Sequence, residues 1–433
     1  MPERPRIYLD NAATSFPKPP AVLAALNHYA TELGASPGRG AYRESLEGGR
    51  LIESCRRRLA RLLNAPSPDH IVFTLNASDA LNLAIRGIAH HERARRARAA
   101  DPRPVHCIAT TLDHNSVLRP LNALAADPVG VPFEWTLLKG HPFTGAADPA
   151  DLARAIRPET ALVIATHASN VSGTLQDIAA YADICRRARV PLLVDAAQSA
   201  GRVPIDLDAT GIDLLALPGH KYLMGPLGTG ALIIRPGLEE RIDPLREGGT
   251  GSASESDIQP EALPDRYEPG SHNTLGIAAL DAALAWLLEQ SVDALWARER
   301  TLIERFTTAL ADRSAYPGLR LLGPTAVGAR VGVFSLTHDA LDPHEFAAIL
   351  ESEFAILARA GLHCAPRAHE HFGTTDRGGA LRLSLGPFIT PADLDALLDA
   401  LREICDAPTP AVSPKPSPAC VSPPASGSPS PTR

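Results

Sequence analysis

Short apolar runs alternating with longer amphipathic stretches constrain this chain more than any other feature. The runs are Ile71–Leu75, Val105–Leu112, Phe133–Leu138, Ala161–His167, Leu192–Gln198, Leu214–Pro218 and Gly230–Ile234. Helical patterns such as Pro20–Leu33, Ser78–His90 and Ile178–Arg189 lie between several of them. A run that is apolar throughout has both faces buried, and helices between successive runs supply the cover. The pattern therefore predicts an α/β domain with a mostly parallel, seven-stranded sheet. From about Ala278 helical stretches take over through Leu310, followed by strand-like Val331–Leu336 and Leu381–Leu385 and helices from Pro343 and Pro391. That second pattern reads as a smaller α+β domain. The expected division is residues 20–287 for the large domain, and 1–19 with 288–406 for the small one. Asp148, Asp342 and Thr390 each precede a first-turn proline and have an acid three residues on, which predicts capped helix starts. Residues 407–433 hold nine prolines and six serines. With so little apolar surface to offset ordering entropy, they are expected to form a disordered tail.

The chain has 433 residues, 45% hydrophobic and 21% charged, with 42 basic against 49 acidic side chains and a net charge of −7. That mild acidity gives no general attraction to nucleic acid or an anionic membrane. No apolar run reaches the length of a bilayer span. The basic cluster Arg93–Arg98 has no interleaved aromatics and reads as a solvated helix surface. Six cysteines (Cys55, Cys107, Cys185, Cys364, Cys405, Cys420) show no close pairs, and Met1–Arg6 lacks a hydrophobic targeting stretch. A reducing cytoplasm is the expected compartment.

The chemistry concentrates at the ends of the apolar runs. Lys221 follows Leu214–His220 and enters a glycine-rich turn, Gly225 to Gly230. A lysine beside small residues at a strand end can be desolvated, so that its amine attacks a carbonyl; alone, it reads better as a solvated turn lysine. Asp195 ends another fully apolar run. Together they are the combination pyridoxal phosphate needs: a Schiff-base lysine and an acid facing a pyridinium. Asn76-Ala77-Ser78 opens a helix after a strand, so its N–H groups and the Ser78 hydroxyl can hold a phosphate or simply cap the helix. His114 and Asn170 stand at two further strand ends. Each alone reads as a loop residue, but several such ends on one edge of a parallel sheet form the usual ligand crevice.

With these segments in hand, the chain resembles the class V aminotransferase family of fold-type I pyridoxal-phosphate enzymes, and within it the cysteine desulfurases. The resemblance rests on Tyr8–Lys18, Asp113–Ser116, Thr166–Gly173, Val194–Ser199, Gly219–Lys221, Arg359–Pro366 and Leu381–Ser384. It implies that Lys221 binds pyridoxal 5'-phosphate covalently, that Asp195 keeps the ring nitrogen protonated, and that Gln198 bonds the phenolic oxygen. His114 would stack on the ring and shuttle a proton. Ala77, Ser78 and His220 would hold the phosphate, with Ser271 reaching it from the second subunit of a homodimer. Arg382 would clamp the substrate carboxylate with Asn170 assisting. Pro218 and Ser271 replace hydroxyl residues usual in the family at the phosphate cup.

Cys364 is the remaining candidate. The resemblance makes it the thiolate that takes sulfur from L-cysteine, leaving L-alanine and an enzyme persulfide, with possible selenocysteine lyase activity and a dedicated sulfur-acceptor protein. An adjacent imidazolium, His363, and nearby Arg359 would increase its thiolate fraction. A buried structural thiol suits a polar turn poorly, and His363, Cys364, His369 and His371 lack the paired spacing of a zinc site, so no metal is expected. Two other functions stay open: a different class V reaction (aminotransferase, epimerase or lyase), and a non-catalytic sulfur-trafficking or regulatory role on the same scaffold.

Overall fold

The computed structural model describes residues 5–37, 40–252 and 254–406. The expected tail, 407–433 with Cys420, lies outside the described residues. The strands, in chain order, are β1 (Ile7–Tyr8), β2 (Ile71–Thr74), β3 (Val105–Thr110), β4 (Phe133–Leu138), β5 (Thr160–Thr166), β6 (Leu192–Asp195), β7 (Leu214–Pro218) and β8 (Gly230–Ile234), then β9 (Leu319–Leu321), β10 (Val333–His338), β11 (Ile356–Leu357), β12 (Arg359–Gly361) and β13 (Ala380–Ser384).

All seven expected runs enter one sheet in the order β2-β8-β7-β6-β5-β3-β4. Only β8 runs against its neighbours, pairing antiparallel with β7 and β2. Its side chains divide with the two-residue period of a strand. Ile71, Phe73, Leu192, Val194, Leu215 and Leu217 face one apolar layer, while Val72, Leu193, Leu214 and Ala216 face the other. Helices such as Thr274–Gln290 cover the first layer and Ala77–Arg98 the second. Gly230 permits one close approach, because a Cβ there would come within 2.7 Å of the Asn76 backbone. The start of the Ala77–Arg98 helix can therefore lie directly over the sheet edge.

The second unit has an antiparallel sheet, β12-β13-β10-β9, and its own apolar cluster around Phe306, Phe334 and Leu383. The chain start joins it: β1 pairs parallel with β11, and Asp10 bridges to Ser384. The helical stretches expected through Leu310 are two helices, Thr274–Gln290 and Val292–Ala309. Ser291 separates them with a φ of 63°, and its hydroxyl accepts from Ala294 N–H. The proline-led helices begin where the caps predict. Asp148 accepts from Ala150 N–H and Asp342 from His344 N–H, while Thr390 and Asp393 form a reciprocal box.

Candidate active site

The C-terminal ends of β3, β5, β6 and β7 open on one cavity of about 440 Å³, a size suited to a cofactor with a small substrate. Ala77, Ser78, His114, Asn170, Asp195, Gln198, His220 and Lys221 all line it. Asn76 caps the helix that carries Ala77 and Ser78, accepting from Asp79 N–H at 3.0 Å. The helix thus presents its unpaired first-turn N–H groups to the cavity.

Burial sets the protonation states. Lys221 is lowered to about 8, first by desolvation, with Asp195 opposing and Arg382 and Arg359 adding to the shift. Asp195 is pushed up by burial, against the Ala197 N–H that donates to it at 2.9 Å and the charge of Lys221. His114 falls to about 4, through burial first and then the surrounding cations Lys221, Arg119, Arg382 and Arg359. Its Nδ1 accepts from Ser116 N–H at 3.0 Å, so the neutral ring carries its proton on Nε2. A ring held neutral at pH 7 donates from Nε2 but is not a ready-made acid, which narrows the proton-shuttle expectation. The Ser78 and Ser116 hydroxyls lie 2.6 Å apart, and Ser116 Oγ is 2.9 Å from His114 Nδ1, linking the helix start to the imidazole.

Three expected site residues stand outside the cavity lining. Ser271 lines a neighbouring cleft with Thr74 and Gly228 of the same chain. Arg382 is buried and donates to Asp10 at 2.6 Å and, more weakly, to the carbonyl of the cavity-lining Asn170 at 3.4 Å. Cys364 is exposed, and both it and His363 hold left-handed backbone, with φ of 57° and 50°. Non-glycine residues adopt that conformation only when their surroundings enforce it. The enforcement is visible here. Asn170 Nδ2 donates to the His363 carbonyl at 2.6 Å, and Asn115 N–H donates to the Cys364 carbonyl at 2.8 Å. These bonds hang the cysteine turn from the ends of β5 and β3, one residue from His114.

The expected imidazolium beside Cys364 is corrected. Burial drives His363 well below its usual range, helped by Arg382, so it is neutral at pH 7. Its Nδ1 lies 3.3 Å from His369 Nε2, and His369 Nδ1 lies 2.7 Å from Thr374 Oγ1. This chain braces the turn from below without charging the thiol's surroundings. His371 turns away from it to the His141 carbonyl, 3.0 Å distant.

The chain start adds contacts that no motif in the sequence assigns to individual residues. The His220 carbonyl, one bond before Lys221, accepts from Ser15 N–H (3.1 Å), Thr14 Oγ1 (3.0 Å), Ser15 Oγ (3.2 Å) and Lys18 Nζ (2.9 Å). Desolvation lowers Lys18 to about 8. The same segment supplies Asp10 to Arg382 and Asn11 Nδ2 to the Ser384 carbonyl at 3.2 Å. The conspicuous Thr-Ser-Phe-Pro-Lys string was the available signal.

Comparison with known proteins agrees with this architecture. The family model described as Aminotransferase class-V matches residues 7–397. The chain belongs to the class-V aminotransferase family. A probable cysteine desulfurase of Methanothermobacter thermautotrophicus is 32% identical, the match covering 93% of this chain and 95% of the relative. A cysteine desulfurase of Yersinia pestis is 31% identical, covering 93% and 94%. Among solved structures, the apo cysteine desulfurase of Thermococcus onnurineus superposes with a TM-score of 0.82 at 28% identity, covering 92% of this chain and 94% of that one.

Class-V membership implies pyridoxal phosphate, and the cavity fits it. Two buried side-chain atoms lining it, Gln198 Oε1 and His220 Nδ1, have no hydrogen-bond partner among the described residues. Buried polar atoms in a native fold are normally paired, so both point to a polar ligand. A buried acid, a buried amine and a helix N-terminus on the same cavity complete a donor set for a cationic ring nitrogen, a carbonyl carbon and a phosphate.

Proposed function

We propose that this protein is a pyridoxal-phosphate-dependent cysteine desulfurase that converts L-cysteine to L-alanine and keeps the sulfur as a persulfide on Cys364. The observation that carries the reading is the exposed thiol on an enforced left-handed turn, tied by Asn115 and Asn170 to the strand ends that also carry His114. An aminotransferase or epimerase has no step that needs a thiol there.

Pyridoxal phosphate supplies a carbonyl carbon for an amino group and a conjugated ring that takes up electrons released from the substrate. Lys221 would hold that carbon. Its lowered pKa leaves a useful fraction of free amine near neutral pH. Asp195 sets the charge at the ring nitrogen from a site dry enough for the interaction to be strong. Ala77 and Ser78 offer N–H groups to the phosphate, with His220 beside them, and Gln198 directs a side-chain amide into the cavity. His114 offers Nε2–H to the reacting centre while its Nδ1 is held by Ser116. Arg382 binds the substrate carboxylate, sharing its guanidinium with Asp10. The Cys364 thiolate attacks the substrate sulfur. An S–S bond forms as the C–S bond breaks; the β-carbon keeps that electron pair and takes up a proton, becoming the methyl group of alanine.

A homodimer fits the large apolar side chains Leu75 and Leu227, which stand 54% and 67% exposed while lining the cavity. A second copy would cover them and bring its Ser271 loop near. The exposure of Cys364 suits hand-over of sulfur to an acceptor protein, and the five described cysteines are free, as a cytoplasmic protein keeps them.

The test is Cys364→Ala with the cofactor loaded. Mass spectrometry after incubation with L-cysteine should find one added sulfur on Cys364 of the wild type and none on the variant. Sulfide release should fall about a hundredfold or more while the cofactor spectrum persists. L-Selenocysteine, whose carbon–selenium bond is weaker, should remain a partial substrate. Desulfuration at the wild-type rate without Cys364 would overturn the assignment.

A further inference from the structure

Lys221 faces the active-site cavity, and the next residue, Tyr222, faces a second one of about 20 Å³. The walls of this second cavity are Gly201 and Arg202, part of the Val292–Ala309 helix, and the turn from Gly386 to Ile389. The Arg202 side chain is 1% exposed. Its Nε donates to both carboxylate oxygens of Glu299, at 2.7 and 2.8 Å, and its Cζ lies 4.0 Å above the Tyr222 ring. Apart from their approach to one another, Arg202 Nη1 and Nη2 and the Tyr222 hydroxyl are buried with no hydrogen-bond partner among the described residues. Burial pushes the phenol up, so it stays protonated and can donate.

Charge is in excess at the same place. Arg298, on the cavity wall but open to solvent, donates to the carbonyls of Pro387 and Ile389 at 3.0 and 2.9 Å. Arg330, fully buried and within electrostatic reach of Arg202, donates only to the carbonyls of Pro324, Ser172 and Val333. Arg298 is exposed and hydrated, but Arg330 has no carboxylate partner among the described residues, so Glu299 stands alone against two buried positive charges, Arg202 and Arg330. An uncompensated buried charge is costly, and removing the imbalance is worth more than satisfying a neutral donor. The volume accommodates about one small species. A water molecule would occupy the donors and leave the charge, whereas a monovalent anion answers both.

We propose that this cavity is a binding site for a small monovalent anion of the halide class, chloride in solution, with Arg202 and Tyr222 as its donors. The anion ties the residue after Lys221 to the Val292–Ala309 helix and to the turn after β13, and so stiffens the seam between the two units. It is independent of the reaction assigned above.

Replacing sodium gluconate by sodium chloride at constant ionic strength is expected to raise the melting temperature of the full-length, cofactor-loaded protein by about 2 °C or more. In crystals soaked in sodium bromide, anomalous density should lie within hydrogen-bonding distance of Arg202 Nη and Tyr222 Oη. Arg202→Gln can fail to fold, so the working variant is Tyr222→Phe, which loses only the hydroxyl. It should need about tenfold or more chloride for half the thermal effect. Identical melting curves in the two salts, or bromide-soaked crystals with water alone in the cavity, would overturn the site. A Tyr222→Phe protein with the wild-type chloride response would remove Tyr222 from it.

Discussion

Asn170→Ala tests the idea that the cysteine turn is held in place from the large domain. The substitution removes the Nδ2 that donates to the His363 carbonyl at 2.6 Å, in a place where both residues are buried. A buried carbonyl left without a donor costs about 1–3 kcal/mol. The turn also stores left-handed backbone at His363 and Cys364, worth about 1–2 kcal/mol per residue. The Asn115 bond to the Cys364 carbonyl and the His363–His369 contact would be left to oppose relaxation. A net shift of about 1.5–3 kcal/mol lowers the population of the present turn by about tenfold to a hundredfold. The readout is single-turnover persulfide formation on Cys364, followed by mass spectrometry with L-cysteine. Alkylation of the same thiol by iodoacetamide gives an independent measure of its freedom. Because Asn170 also lines the cavity, cofactor affinity is titrated separately by absorbance and divided out. Persulfide formation should drop at least tenfold, and the alkylation rate should change with it. Rates within about twofold of wild type on both assays would refute the pinning argument.

Lys221→Ala should leave no borohydride-reducible link between cofactor and chain, checked by mass spectrometry of the reduced protein; a reduced adduct on another lysine would relocate the covalent site. Asp195→Asn should keep that link but slow turnover about a hundredfold, since an amide does not hold the ring nitrogen's proton by charge; steady-state kinetics with L-cysteine decide. Lys18 has a folded pKa of about 8 against an ordinary 10.5, so the unfolded chain binds more protons between those values and this lysine's contribution to stability rises across that window. Urea denaturation of the wild type and Lys18→Met should therefore diverge in the wild type's favour from about pH 8 to 10.5. A constant difference would mean that Lys18 is not desolvated.

The large sheet was legible because each run is buried on both faces, and that leaves an unbroken apolar string in the sequence. Strands such as β11 and β12 carry no such signature. They are two and three residues long, and their register comes from pairing with β1 and β13. The break at Ser291 has no marker in the sequence, because apolar helical periodicity continues on both sides of it. The candidate site was readable where residues cluster at strand ends, as with His114, Asp195 and Lys221. It was not readable where the partner is remote: Arg382 meets Asp10 across 372 positions of sequence. His363 misled for a related reason. Proximity to Cys364 in sequence suggested a charged neighbour, whereas tertiary burial makes the ring neutral.

The chain start has a consequence for how such a protein can change over time. Within a dozen residues it holds Asp10 against Arg382 and stacks four donors on the carbonyl before Lys221. The group assigned to substrate recognition and the group assigned to covalent chemistry therefore hang from one ribbon. A substitution that loosens the ribbon to admit a longer side chain also shifts the amine. Selectivity and turnover are then inherited together, and a variant library confined to this segment should yield few members that gain one without losing the other.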